Sequence, residues 1–260
     1  MLEIEQLKFS YRRTSVPVLN GVSMKLEAGE IGILMGRNGS GKTTLFKNIL
    51  GIETPDSGSI LFHGEDLLKM DQEERARRLA YVPQHIHFGS LTVFDSILLG
   101  RVSYFGIKAG KDDYRVVEEI MTEMGLESFA DHNAEELSGG EKQKIAIARA
   151  MAQEPELLVF DEPTGNLDIA NEQLILDEAR KLAATKNIAI LSSLHDLNQA
   201  MEFGDRFFFM KDGLIRYSGR KEIFTPDIIL DIFGIHVKTV IIDGQTILVR
   251  DHSQTESLIG

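Results

Sequence analysis

The sequence predicts an α/β fold whose sheet carries its ligand at the carboxyl ends of its strands and is interrupted by a block of helices. Three observations carry that prediction. Short apolar runs at 31–35, 79–82, 157–160 and 188–191 have the length and composition of buried strands. The glycine-rich loop Gly36-Arg37-Asn38-Gly39-Ser40-Gly41-Lys42-Thr43 follows the first run and leads into a segment of helical spacing. From about residue 90 to 152 the texture turns helical, with no strand-like run inside it.

The loop fits the phosphate-binding pattern G-x-x-x-x-G-K-[ST], and its flanks are those the pattern requires. Ile31-Gly32-Ile33-Leu34-Met35 is the strand ahead of it. Behind it, Leu45, Phe46, Ile49 and Leu50 recur at helical spacing up to Gly51, a natural helix end. Glycines let backbone N–H groups converge on a polyphosphate at the positive end of the helix dipole. Lys42 then reaches the β- and γ-phosphates, and the Thr43 hydroxyl coordinates Mg²⁺.

Composition sets the outer bounds. The 260 residues, 43% of them apolar, suffice for one large domain or a core with a smaller subdomain. No run approaches ~18 consecutive apolar residues, so no membrane-spanning helix is expected. The start, Met1-Leu2-Glu3-Ile4-Glu5, lacks the basic and apolar regions of a secretory signal. Without cysteine there is no disulfide or zinc–thiolate chemistry. A net charge of −12 argues against a nucleic-acid partner. A soluble cytoplasmic protein is expected.

In chain order, residues 2–9 and 16–26 read as two strands, marked by Leu2, Ile4 and Leu7 and by Val22, Met24 and Leu26. Tyr11, between them, suits either a base stack or the core. Pro55-Asp56-Ser57-Gly58 is a turn, 59–62 a strand, Asp71 to Arg78 a charged helix, and 79–82 a strand closed by Pro83-Gln84. Thr92 to Val102 and Asp112 to Met124 have helical spacing, separated by residues 106–110. Leu137-Ser138-Gly139-Gly140-Glu141 opens a further helix with the capping-box pattern S-x-x-E. Most such boxes only start helices, but two glycines at N1 and N2 weaken one by roughly 0.5–1 kcal/mol each. Tolerating them suggests a close approach to the backbone, and a bare helix N-terminus is a second anion site.

Leu157-Leu158-Val159-Phe160 ends in Asp161 and Glu162, two acids at the carboxyl end of a buried strand. Paired with the phosphate loop, Asp161 fits the second Mg²⁺-holding position and Glu162 a general base, where a plain loop start is the alternative. His195 follows the strand at 188–193 and sits on the same edge, as a ligand-edge or a surface residue. Residues 206–219 read as two strands turned at Lys211-Asp212-Gly213, and 237–249 as a hairpin around Asp243-Gly244.

These motifs together resemble the ATP-binding subunit of an ABC transporter over residues 2–224. Walker A is 36–43, the Q-loop glutamine Gln84, the signature 137–141, Walker B 157–161 with Glu162 behind it, the D-loop 165–168 and the switch histidine His195. The resemblance implies a P-loop NTPase core with an N-terminal antiparallel β subdomain, an α-helical subdomain inserted at about 86–155, and a C-terminal extension over 225–260. It implies Mg²⁺-dependent ATP hydrolysis with Glu162, His195, Gln84 and Lys42 catalytic. Tyr11, Gly36, Asn38, Gly39, Ser40, Gly41, Lys42, Thr43 and Thr44 would hold ATP, and Ser138, Gly139, Gly140 and Asp168 would hold the ATP of a second copy. Thr43, Gln84 and Asp161 would hold the metal. The implied partners are a second ATPase subunit in the ATP state, a membrane permease docked on the helical subdomain, and indirectly a substrate-binding protein. The implied place is the cytoplasmic face of the cell membrane.

The D-loop reads Gly165-Asn166-Leu167-Asp168 rather than the commoner S-A-L-D, keeping the aspartate. Leu91-Thr92-Val93 leading to Leu99-Gly100-Arg101, His195-Asp196-Leu197-Asn198-Gln199-Ala200 and the hairpin tail resemble subunits of importers for iron–siderophore, haem and cobalamin. Residues 163–168 also resemble lipoprotein-release and cell-division members. A soluble ABC ATPase of iron–sulfur assembly is a further alternative. The DNA-repair type needs a long coiled coil, and no heptad run exists. A nucleotide-switched scaffold is opposed by the presence of both Glu162 and His195.

Overall fold

The computed structural model describes residues 1–11, 16–163 and 169–251, and in it the buried apolar runs come together as one six-stranded sheet. The chain begins with β1 (Leu2–Phe9) and β2 (Leu19–Leu26), antiparallel, with Leu2 opposite Leu26 and Phe9 opposite Leu19. β3 (Ile31–Met35) is buried at all five positions and feeds the glycine loop and α1 (Lys42–Ile49). β4 (Ser57–Phe62) and the short β5 (Glu65–Asp66) complete an antiparallel sheet in the order β2-β1-β4-β5. This is the antiparallel unit that the family resemblance implies. α2 (Gln72–Arg78), capped by the Asp71 carboxylate on the Glu74 N–H at 2.8 Å, runs straight into β6 (Leu79–Val82).

Three helices follow before the chain returns to the sheet: α3 (Val93–Leu98), α4 (Lys111–Met124) and α5 (Gly139–Met151). Then come β7 (Leu157–Asp161), α6 (Ile169–Lys186), β8 (Ala189–Ser193), α7 (Leu197–Phe203), β9 (Arg206–Lys211) and β10 (Leu214–Gly219). The chain closes with α8 (Pro226–Phe233), β11 (Val237–Ile242) and β12 (Gln245–Arg250).

The large sheet has the order β10-β9-β3-β8-β7-β6, parallel throughout except for β10 at the edge. Parallel strands place their carboxyl ends on one edge, where open α/β sheets bind ligands. Gly36 after β3, Gln84 after β6, Glu162 after β7 and His195 after β8 therefore converge. Alternate residues pack on opposite faces. Leu158, Phe160 and Ile190 join the helices α3 to α6, while Leu157, Val159 and Leu191 join α1 and the antiparallel unit.

The helix expected over 92–102 is α-helical only to Leu98 and tightens to a 3₁₀ turn over Leu99–Arg101. That turn delivers Arg101 to the interior, 5% exposed. Its Nε donates to Asp113 Oδ1 at 3.2 Å, and its Nη1 to Ala152 O at 2.9 Å and Glu154 Oε2 at 2.6 Å. Its guanidinium lies 3.7 Å from the Tyr104 ring centroid. One buried cation thus ties the start of α4 to the loop leading into β7.

The tail hairpin turns at Asp243 and Gly244, both with positive φ, as a two-residue turn of right-twisted strands requires. It is held to the body by Asn198 of α7. The side-chain amide donates to Leu248 O at 3.1 Å and accepts the Leu248 N–H at 2.8 Å. Among the described residues no helix is long and apolar enough to cross a membrane.

Candidate functional site

A cavity of about 540 Å³ opens at the carboxyl edge of the sheet. Asn38, Gly39, Gly41, Lys42, Thr43 and Thr44 form one wall, with Gln84, Glu162 and His195 opposite and Val18 at the side.

The first wall is built for an anion. Gly36 approaches β9 so closely that a Cβ would lie 2.3 Å from the Met210 carbonyl oxygen, so no side chain fits there. Gly41 takes φ 110° as the N-cap of α1, which has no side-chain cap and no acid in its first turn. The positive end of that helix dipole is left for a ligand. Ser40 Oγ is buried and makes no hydrogen bond. Lys42, 6% exposed, donates from Nζ to Gly36 O at 2.9 Å. Burial pushes its ammonium below its ordinary range, and the Glu162 and Asp161 carboxylates oppose that shift. Tyr11 stands outside the lining, its hydroxyl 3.3 Å from Thr44 Oγ1 and its ring edge-on to Phe9.

The second wall is acidic. Asp161 is buried at the end of β7, and its Oδ1 accepts the Ser193 hydroxyl at 3.0 Å. Tyr81 OH lies 3.5 Å from Asp161 Oδ2, and its phenol is pushed up to about 12 by burial and by that carboxylate. Glu162, one residue beyond, takes φ 53°, and its N–H donates to Ser193 Oγ at 2.9 Å. Its carboxylate accepts Gln84 Nε2 at 2.5 Å and lies 2.7 Å from His195 Nε2.

The donors facing the loop are hydroxyl, amide and carboxylate groups, the hard oxygen ligands that suit Mg²⁺. Among the described residues no group of three or more His, Cys, Asp or Glu could hold an ion by itself. The Thr43 hydroxyl, the Gln84 amide and the Asp161 carboxylate fit a Mg²⁺ ion that shares its coordination with phosphate oxygens.

Ser138, Gly139 and Gly140 are not part of this cavity. They begin α5, whose capping box is closed in both directions: Ser138 N–H donates to Glu141 Oε2 at 2.8 Å and Glu141 N–H to Ser138 Oγ at 3.4 Å. The Ser138 hydroxyl, followed by its backbone N–H, holds the Glu141 carboxyl below the usual range. A Cβ on Gly140 would meet Asn171 Oδ1 at 2.6 Å, so the close approach expected at the glycines is made there by α6 of the same chain. Asp168 and the rest of the D-loop lie outside the described residues.

Val18 and Ser193 were not among the candidates from sequence. Val18 carries no signal a single sequence displays. Ser193 does, because Ser192 and Ser193 end an otherwise apolar strand and are both fully buried.

A family model described as ABC transporter matches residues 19–165. An uncharacterized ABC transporter ATP-binding protein of Methanocaldococcus jannaschii is 36% identical over 90% of this chain and 92% of its own. The sulfate/thiosulfate import ATP-binding protein CysA of Pseudomonas aeruginosa is 34% identical over 96% of this chain and 78% of its own. Among solved structures, a transporter described as of the metal-chelate ABC type, in an inward-facing conformation, superposes with a TM-score of 0.82 and 26% identity over 98% of both chains.

Proposed function

The chain belongs to the ATP-binding subunits of ABC transporters, and from that premise we propose that the cavity at the sheet edge is its Mg-ATP site and that hydrolysis there powers import of a metal chelate of the iron–siderophore, haem or cobalamin kind. The observation that carries the site is the opposition, across one cavity, of Lys42 and Thr43 to Gln84, Glu162 and His195.

Each residue's role follows from its place. Backbone N–H groups of 39–44 and the Lys42 ammonium take the phosphates, and the Ser40 hydroxyl gains the partner it lacks. The Tyr11 ring stacks on the adenine. Thr43, Gln84 and Asp161 would hold Mg²⁺, which would supply positive charge against the phosphates. Glu162 accepts the proton of the attacking water. The His195 imidazole, 2.7 Å away, fixes the Glu162 carboxylate, and Gln84 holds its other oxygen. Bond cleavage gives ADP and phosphate, with the water's proton first on Glu162.

The mouth of the cavity is open to solvent, and the signature residues Ser138, Gly139 and Gly140 are not among those that line it. A second copy that brings its Ser138–Gly140 and Asp168 to the cavity closes it, so the ATP state is a homodimer. The helices of residues 86–136 carry the permease contact at the cytoplasmic face of the membrane, and a substrate-binding protein delivers cargo to that permease.

Support for the metal-chelate reading is the fold likeness that runs through both whole chains. The sulfate importer at 34% identity supports a second reading, an oxyanion cargo. Mixing Lys42→Ala with Ser138→Arg protein tests the composite site: each variant is inactive alone, and the mixture regains at most one working site per heterodimer. Full activity of either variant alone overturns it. Uptake of labelled iron chelate against labelled sulfate, by vesicles holding the co-purified permease, separates the two cargo readings.

A further inference from the structure

We propose that Ser193 is a positioning residue that sets both acids of the site, Asp161 and Glu162, through one hydroxyl group. The proposal rests on the reading of the cavity as a Mg-ATP site.

Ser193 is the last residue of β8, between β3 and β7, in register with Leu34 on one side and Asp161 on the other. It is fully buried. At this point the parallel ladder ends, and Glu162, the first residue past β7, needs another acceptor for its N–H. Ser193 Oγ supplies it at 2.9 Å and lies 3.0 Å from Asp161 Oδ1. A hydroxyl has a single proton, and an ionised carboxylate can only accept. The direction is therefore fixed: Ser193 donates to Asp161 and accepts from Glu162.

Glu162 takes φ 53°, a left-handed conformation uncommon for a residue with a Cβ. The Ser193–amide bond holds that turn at its N–H. The turn breaks strand alternation and sends the Glu162 carboxylate to the cavity, against His195 and Gln84. For Asp161 the hydroxyl occupies Oδ1 and sets the plane of the carboxylate, leaving Oδ2 with the longer contact to Tyr81. Removing the hydroxyl strips Asp161 of its short bond and Glu162 of its amide acceptor together.

The test uses the full-length protein with Ser193→Ala, Ser193→Thr and Ser193→Cys. Loss of an orienting partner typically costs about 10–100-fold in metal affinity or activity. Ser193→Ala is expected to lower kcat about 10–100-fold and to raise the Mg²⁺ concentration for half-maximal fluorescent-ATP binding by a factor of about 10. Affinity for the same nucleotide in EDTA is unchanged, because the phosphate loop is untouched. Ser193→Thr restores kcat and the Mg²⁺ midpoint. Ser193→Cys, close in size with a weak donor, stays near Ser193→Ala and serves if the threonine methyl unfolds the protein. Unchanged kcat and Mg²⁺ midpoint in Ser193→Ala overturn the proposal, as does an equal loss of EDTA and Mg²⁺ binding, which marks a fold defect. Failure of the wild-type protein to bind Mg-ATP would instead overturn the site reading itself.

Discussion

Replacing Arg101 with methionine keeps much of the apolar stem and deletes the guanidinium from the interior. Left behind is Asp113, 7% exposed, whose Oδ1 has lost its cation while Oδ2 keeps the Gly110 N–H at 2.8 Å. Removing one partner of a buried pair costs about 3–5 kcal/mol, chiefly through the uncompensated charge. The lost stacking over Tyr104 is part of that difference and does not add to it. Glu154, whose side chain is 57% exposed, is worth only about 0.5–1 kcal/mol to the cluster. At roughly 2–4 °C per kcal/mol for a chain of this size, Arg101→Met lowers the melting midpoint by about 6–20 °C and Glu154→Gln by about 1–4 °C. Calorimetry with circular dichroism reads both. The sharper measurement adds Asp113→Asn, which destabilises the wild-type protein but stabilises Arg101→Met by neutralising the stranded charge. A change of the same sign in both backgrounds would refute the reasoning.

Glu162→Gln keeps size and hydrogen bonding but cannot take a proton, so turnover falls about 10²–10⁴-fold, roughly 3–5.5 kcal/mol of barrier, while Mg-ATP binding holds or tightens and an early-eluting dimer accumulates. Near-normal turnover would move the base elsewhere. Tyr11→Ala weakens ATP binding by roughly 1–3 kcal/mol, the worth of one base–aromatic stack, and Tyr11→Phe restores it; equal affinity in all three proteins returns Tyr11 to the core. Asn198→Ala removes both bonds to Leu248, so amides of β12 exchange faster while those of β3 and β8 do not; uniform acceleration would show a global defect. The Glu141 carboxyl titrates below the ordinary glutamate range, so its capping contribution is complete above that range and is lost as pH falls through the lowered value. A carbon-detected titration that places it at or above the ordinary value contradicts the cap.

Strands buried on both faces were legible because they are all-apolar runs, and the phosphate loop because its motif sits between strand and helix. The hairpin was legible from Asp243-Gly244, since few dipeptides accept two positive φ values. α6 was harder: its buried face is Ile175, Leu176, Ala179, Leu182 and Ala183, and the alanines give weak contrast, while Leu174 on the same helix is exposed. The break at Leu98 is marked locally only by Gly100, where a Cβ would lie 2.1 Å from Arg149 O, and its partners Asp113 and Ala152, which Arg101 reaches from the turn, are distant in sequence. In the site, residues known by motif could be named, whereas Ser193 works through register with a strand some thirty positions away in sequence.

The sheet order also governs how the chain is born. β3 is synthesised early, yet its two neighbours are β8 and β9, near the far end. At about 5–20 residues per second, the roughly 150 residues between them take ~8–30 s to translate. Throughout that interval the run Ile31–Met35 has no pairing partner, and an unpaired apolar strand invites association with other chains. The antiparallel sheet of β1, β2 and β4 is complete within the first 62 residues and packs on Leu34, Leu45 and Phe46. That early unit covers one face of the waiting strand, but both of its pairing edges stay open until β8 and β9 have been made. Slow codons between residues 66 and 189 should therefore lower soluble yield more than the same codons placed after 211.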